Sequence, residues 1–261
     1  MRAVILAWGK GTRLAPFTTV LPKPLLPLGE IPIIEIILRQ LKHYGVTDVT
    51  LACGYLSQLM RTYLDNSPIS EELRIDYHWE DKPLGTAGAL AGIGGLDETF
   101  LVMNGDILTT LDYARLWKFH TARKPALTIA VTSKKVQIEL GILRIDQDKR
   151  VVGYTEKPVE TFPASTGIYI YEPRALEFIE PDAYLDFPTL VLKLIEAGQT
   201  VLAYETDAFW LDMGNRGDYE KAVRAFREDP ARFAIDEVRP VRITPLPKRL
   251  RPTQAATPLT P

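Results

Sequence analysis

A repeated change of hydrophobic period constrains this chain more than any other feature. Short apolar runs rich in β-branched residues alternate with stretches whose apolar residues return every three or four positions, the pattern of a parallel sheet covered by helices. Strands are expected at residues 3–7, 48–53, 74–79, 100–103 and 127–132, with helices near 57–64, 86–91 and 111–122. Across 33–44, Ile34, Ile37, Leu38 and Leu41 fall at i, i+3, i+4 and i+7, so one helix face is apolar. Gly45 is placed to end that helix. This half reads as an α/β, Rossmann-like, doubly wound and mostly parallel sheet.

After Val131 the punctuation changes. Strand signals at 141–145, 151–155 and 167–171 are separated by turn residues rather than helices, which predicts antiparallel additions to the main sheet. Later helices are expected at 190–197 and 219–226, the second with Ala222, Val223 and Phe226 on one face and Asn215 or Asp218 as its cap. A single domain is therefore predicted over 1–228. Residues 229–261, rich in proline and carrying Arg239, Arg242, Lys248, Arg249 and Arg251, are expected to form a disordered basic tail.

With 261 residues, 46% of them hydrophobic, the chain can bury a large core. Its 31 basic and 33 acidic residues leave a net charge of −2, so no global positive field draws in nucleic acid or an anionic membrane. Any anion must be held by a local cluster. Cys53 is the only cysteine and stands in an apolar run, which predicts a buried, inert thiol and no intrachain disulfide. The opening apolar run is too short for a secretory signal and meets a glycine turn, and no stretch is long enough to span a bilayer. The expectation is a cytoplasmic protein.

The sharpest local signal follows the first strand. Leu6-Ala7-Trp8-Gly9-Lys10-Gly11-Thr12-Arg13-Leu14 runs on to Pro22-Lys23-Pro24. A strand entering a glycine turn lets backbone N–H groups approach and donate to a phosphate. Arg13 and Lys23 add positive charge on the same loop, and the prolines around Lys23 stiffen its approach. Alone, the Gly9-x-Gly11 pair also opens dinucleotide-binding folds. A dehydrogenase fingerprint, however, needs glycine where Leu14 stands, and the Gly-Lys-Ser/Thr ending of a P-loop is missing.

The long motif resembles the signature of the sugar-1-phosphate nucleotidylyltransferases, or sugar-nucleotide pyrophosphorylases. The resemblance continues in order to about Phe226. Glu80-Asp81-Lys82-Pro83-Leu84-Gly85-Thr86-Ala87-Gly88 is similar to the family's nucleobase turn, and Met103-Asn104-Gly105-Asp106 to its metal-binding strand end. Glu156-Lys157-Pro158 is similar to the sugar-phosphate segment, and Trp210-Leu211-Asp212-Met213-Gly214 to the second metal segment.

That resemblance implies transfer of a nucleotidyl group from a nucleoside triphosphate to a sugar 1-phosphate, with Mg²⁺ as cofactor and pyrophosphate as leaving group. Arg13, Lys23 and Asp106 are the implied catalytic residues, and Asp106 and Asp212 the implied metal ligands. Magnesium suits such a pair, since it takes one or two carboxylates and leaves other positions to water and phosphate oxygens. The implied nucleotide contacts are Leu6, Ala7, Gly9, Gly11, Thr12, Arg13, Lys23, Glu80, Pro83, Gly85 and Thr86. The implied sugar-phosphate contacts are Asn104, Gly141, Glu156, Lys157, Ser165 and Gly167. Alternatives stand beside several of these: a surface ion pair for Glu156 and Lys157, strand bulges for Gly141 and Gly167, and a turn-capping role for Asp106.

An ionised Glu80 only accepts hydrogen bonds, and guanine offers two adjacent donors, so GTP is favoured over thymine, uracil or adenine nucleotides. The short spacer 83–88 is similar to the GDP-mannose pyrophosphorylase (mannose-1-phosphate guanylyltransferase) branch, which implies mannose 1-phosphate, with glucose or heptose 1-phosphate as alternatives. Two positions depart from the family pattern. Trp8 stands where relatives carry glycine or alanine, and its indole could crowd the nucleotide or stack on it. Ser165 stands where many relatives carry asparagine. Trp8 also keeps open a different class of function, a non-catalytic paralogue that binds sugar nucleotide and regulates a partner. Self-association is a further expectation.

Overall fold

The computed structural model describes residues 1–9, 11–54 and 56–233. Strand β1 (Arg2–Ala7) leads through the glycine turn to a single helical turn, α1 (Phe17–Val20), a short hairpin of β2 (Pro27–Leu28) and β3 (Ile31–Pro32), and helix α2 (Ile33–His43). There follow β4 (Asp48–Cys53), α3 (Ser57–Asp65), β5 (Arg74–Trp79), the one-turn α4 (Gly85–Gly88), β6 (Phe100–Asn104), β7 (Ile107–Thr109), α5 (Tyr113–Arg123) and β8 (Leu127–Gln137). The rest comprises β9 (Ile142–Ile145), β10 (Val151–Thr155), β11 (Val159–Tyr171), α6 (Phe187–Glu196), β12 (Val201–Glu205), β13 (Trp210–Asp212) and α7 (Arg216–Glu228).

Seven strands form one sheet in the order β12-β8-β11-β6-β1-β4-β5. β1 runs parallel to both β4 and β6, and β4 parallel to β5. The chain therefore winds outward from β1 to β5, then returns past β1 to lay down β6. Where the winding reverses, the carboxyl ends of β1 and β6 part and leave a crevice. β11 is antiparallel to both β6 and β8, and β12 is parallel to β8.

Both sheet faces are covered, and the period of two in the strands shows it. Ala3, Ile5, Leu101 and Met103 belong to a core shared with α2, α3, α5 and α7, while Val4, Phe100 and Val102 belong to a second core shared with α4 and α6. On α2 all four residues of the expected stripe, Ile34, Ile37, Leu38 and Leu41, are fully buried. Gly45 follows that helix at φ +83°, its N–H donating to the carbonyl of Lys42. On α7 the Asn215 side chain caps the first turn by accepting from the N–H of Asp218 at 3.1 Å.

One expectation changes. β9 and β10 do not join the main sheet; among the described residues they pair only with each other, as an antiparallel ribbon. Ile142, Leu143, Ile145, Val151 and Val152 are apolar at positions of both parities and all are exposed, so neither ribbon face is committed to the core. The described chain continues past α7. Asp229 begins a turn that ends in a 3₁₀ segment, Ala231–Phe233, and Phe233 is fully buried against Phe209 and Phe226. Packing thus extends at least to 233. The remainder of the expected tail, 234–261, lies outside the described residues.

Candidate active site

The crevice at the reversal of the sheet holds a cavity of about 340 Å³. Leu6, Ala7, Trp8 and Gly9 line it from the end of β1, Asn104, Gly105 and Asp106 from the end of β6, and Lys23 and Pro24 from the loop after α1. Glu80, Pro83, Gly85 and Thr86 enter from the turn after β5, with Ala89 beside them. The sheet pairing continues beyond β6, since the Gly105 N–H donates to the carbonyl of Leu6 at 2.9 Å. Asp106 therefore emerges beside β1 rather than drifting into solvent.

Asp212 arrives from more than a hundred residues away by a short antiparallel pairing. β13 runs beside β7 with Asp212 opposite Ile107, and the N–H of Met213 donates to the carbonyl of Asp106 at 3.1 Å. Trp210 anchors this pairing to β11 by donating its indole N–H to the carbonyl of Thr166 at 2.8 Å. The two carboxylates meet at one ammonium. Lys23 Nζ donates to Asp106 Oδ2 and stands 3.8 Å from Asp212 Oδ1. Lys23 is nearly buried and is the first residue of a 3₁₀ turn, Lys23–Leu25, set by the extended Pro22 before it. Arg13 reaches the same place from the other side: a β-carbon added to Gly214 would lie 3.3 Å from its Nη2 and 3.4 Å from an oxygen of Asp212. Burial holds the Asp212 carboxyl above its ordinary range, the Asp106 charge adds to this, and Lys23 and Arg13 oppose it. Among the described residues no group of three or more His, Cys, Asp or Glu could hold a metal ion.

Glycines shape the turn after β1. Gly11 adopts φ +58°, and a β-carbon there would lie 2.7 Å from a methyl of Thr18, whose hydroxyl donates to the Gly11 carbonyl at 2.7 Å. Thr12 and Arg13 follow in a 3₁₀ turn, Thr12–Leu14, whose buried anchor is Leu14. In the turn after β5, Gly85 adopts φ +80° and presses on the chain before α6, where a β-carbon would lie 2.5 Å from the Leu185 carbonyl oxygen. That oxygen accepts from the N–H groups of Ala87 and Gly88, both at 2.9 Å, and Thr86 Oγ1 accepts from the Phe187 N–H at 2.9 Å. Glu80 begins the turn, one carboxylate oxygen accepting from the Leu84 N–H at 3.4 Å and the other buried without a partner among the described residues. Burial holds its carboxyl above the ordinary range, opposed by the Leu84 N–H.

The expected sugar-side residues divide into two groups. Asn104 lines the cavity, and Gly167, at φ +75° in an irregular stretch of the β8–β11 pairing, lies against the Asn104 amide. Ser165 is next to them, its hydroxyl 3.4 Å from the Gly167 N–H and 3.3 Å from the Tyr169 hydroxyl. Gly141, Glu156 and Lys157 gather elsewhere, at the base of the ribbon. The Tyr154 hydroxyl lies over Gly141 and donates to Glu156 at 2.8 Å, while Lys157 Nζ is 3.7 Å from Glu139 in an exposed pair. None of these three lines the cavity.

Sequence reasoning missed Tyr184 and Asp186, which line the cavity and are joined by a 2.7 Å hydrogen bond from the Tyr184 hydroxyl. Their one signal was Asp186-Phe187-Pro188, an acidic residue just before a proline-started helix. Cys53 is fully buried, as expected, and its thiol is pushed up to about 12, chiefly by burial and then by Glu80.

The family model described as nucleotidyl transferase matches residues 2–229. A UTP–glucose-1-phosphate uridylyltransferase of Synechocystis is 31% identical over 86% of this chain and 63% of its own length. A probable mannose-1-phosphate guanylyltransferase of Oryza sativa is 32% identical over 90% of this chain and 68% of its own. The chain thus spans about two thirds of the length of these curated relatives. Among solved structures, HddC from Yersinia pseudotuberculosis complexed with GMP-PN superposes with a TM-score of 0.65 at 26% identity, over 86% of this chain and 99% of that one. A mixed α/β fold with a large, mostly parallel sheet, a crevice where the winding reverses and the match over almost all described residues agree: the chain belongs to the nucleotidyl transferase family.

Proposed function

We propose that this protein joins a nucleoside triphosphate, GTP by preference, to a sugar 1-phosphate of the manno type and releases pyrophosphate. The observation that carries the reading is the meeting of Asp106 and Asp212 on the ammonium of Lys23, which lines the cavity together with Asp106. The printed names of relatives support the reaction class, several of them mannose-1-phosphate guanylyltransferases. An oxygen of the sugar phosphate attacks the α-phosphorus in line, the bond to the β-phosphate oxygen breaks, and the electron pair leaves with pyrophosphate. Because the attacking oxygen is already anionic at neutral pH, no general base is required, and catalysis rests on positioning and charge neutralisation.

Lys23 would neutralise the reacting phosphate, and Arg13 the β- and γ-phosphates as charge develops on the leaving group. N–H groups of the turn carrying Gly9, Gly11 and Thr12 would donate to phosphate oxygens, with Leu6 and Ala7 as the wall beneath. Pro83, Gly85 and Thr86 hold the turn that presents Glu80 to the base. On the sugar side, Asn104, Ser165 and Gly167 would line the approach, and Glu156 and Lys157 beside Gly141 would reach the sugar phosphate from the ribbon.

The family generally uses a divalent metal, and the reading takes it to be Mg²⁺. Two carboxylates with no third protein ligand among the described residues suit an ion that draws its other ligands from water and phosphate. Asp106 and Asp212 would hold it, and when bound it would offset phosphate charge. The reading includes a cytoplasmic setting, with no nucleic acid or membrane partner. No described helix is long and apolar enough to cross a membrane. It also includes self-association, for which the exposed apolar ribbon is a reason.

Pyrophosphate release tests the proposal, measured with each nucleoside triphosphate against mannose, glucose and heptose 1-phosphates in the presence of Mg²⁺. GTP with a manno-configured sugar is expected to turn over fastest, and Glu80→Gln to move preference towards UTP or dTTP. Nucleotide binding without turnover on any pair would instead favour a regulatory protein.

A further inference from the structure

The parallel pairing of β1, β4 and β5 puts Ala7, Cys53 and Trp79 in one row across the sheet. Trp8, Gly54 and Glu80 are the next residues of these three strands, so they leave the sheet side by side. Gly54 is the middle one. A β-carbon there would lie 2.0 Å from Nε1 of Trp8, 2.2 Å from Cδ1 and 2.4 Å from Cε2, so the indole lies directly on the Gly54 backbone. Only glycine permits that contact.

Trp8 and Glu80 both line the cavity, and each has one buried polar atom with no partner among the described residues: the indole Nε1 of Trp8, a donor, and Oε1 of Glu80, an acceptor. Buried polar groups without partners are rare because each forfeits its hydrogen bonds to water. Here the donor and the acceptor belong to two residues that line the same cavity and leave strands two places apart, a separation of about 10 Å within the sheet.

We infer that Trp8 is a specificity-determining residue: its indole N–H donates to a ring carbonyl of the nucleobase while Glu80 accepts from the ring N–H beside that carbonyl. The inference rests on the reading of the cavity as a nucleoside triphosphate site. Guanine, hypoxanthine, uracil and thymine place a carbonyl beside an N–H. Adenine and cytosine place an amino donor where the indole requires an acceptor, so donor meets donor. The amino group of guanine gives Glu80 a second donor and separates guanine from the other oxo bases.

The test is calorimetric binding of GTP, ITP, UTP, ATP and CTP, without sugar phosphate, to the wild-type protein and to Trp8→Phe, which keeps a ring on Gly54 and removes the N–H. Wild type is expected to prefer the oxo bases. Trp8→Phe is expected to lose about tenfold for GTP, ITP and UTP and little for ATP and CTP, so the ratio between the two groups shrinks by the same factor. Gly54→Ala, which retains Trp8 but denies the indole its place, is expected to shrink the ratio too, and it carries the test should Trp8→Phe fail to fold. A ratio unchanged in the folded variants overturns the inference and leaves Trp8 as packing alone. Failure of wild type to bind any of the five nucleotides overturns the nucleotide reading itself and this inference with it.

Discussion

At Asp212, burial and charge pull in opposite directions. Its carboxyl is held above the ordinary range first by burial and then by Asp106, against Lys23 and Arg13. A native pKa above the unfolded one means that the folded protein holds this proton more tightly than the unfolded chain does. The resulting contribution is fully present below the unfolded value, is lost as pH rises through the native value, and stays lost above it. Asp212→Asn, neutral at every pH, is therefore expected to melt at or above the wild-type temperature at pH 7 without divalent metal, while turnover collapses. The advantage should vanish below roughly pH 4, where the wild-type side chain is also neutral. A melting temperature well below wild type at pH 7 would mean that the Lys23 pairing outweighs burial. Much of this site was legible as residue types, because a lysine held between prolines and two aspartates at strand ends carry phosphate and cation chemistry. Tyr184 and Asp186 were not, since neither chemistry nor period distinguishes them from an ordinary loop.

Elements long enough to show a period were read well. β4, β5 and β10 have the expected bounds, and α2 buries the predicted stripe. β7 and β13 are only three residues each, too short for any period, yet their pairing brings Asp212 to Asp106. The sequence offered that meeting only through motif resemblance. β8 and β11 run far beyond their apolar cores because each pairs with the other over polar residues, which hydropathy does not report. At the turn after β5, a one-turn helix is held by loop contacts rather than by its own length. Gly85→Ala would place a β-carbon in the left-handed region, costing about 1–2 kcal/mol, and would press on the Leu185 carbonyl. A destabilisation of about 2 kcal/mol is expected, lowering the melting temperature by roughly 4–8 °C, with nucleotide affinity falling because Glu80 shares the turn. Unchanged melting and binding would show that the turn adapts.

For the whole molecule, the winding of the sheet positions everything else. Reversal at β1 opens a crevice lined by the end of β1 and its glycine turn, the Lys23 loop, the turn after β5, the end of β6 and the segment before α6, with β13 bringing Asp212 beside Asp106. The half of the chain that carries the parallel strands was readable because its central strands β1, β4 and β6 are buried on both faces and so largely apolar. The ribbon was misplaced because its apolar residues look outward, and hydropathy alone cannot say towards what. The central claim is that Asp106 and Asp212 form one cation-receptive centre for phosphate chemistry. Its most direct test is the rate of pyrophosphate release against Mg²⁺ concentration for wild type, Asp106→Asn and Asp212→Asn, each with its melting temperature. A wild-type rate that vanishes without Mg²⁺, and a fall of about a hundredfold or more in both folded variants, is the predicted result; a rate within about threefold of wild type in either variant would contradict it.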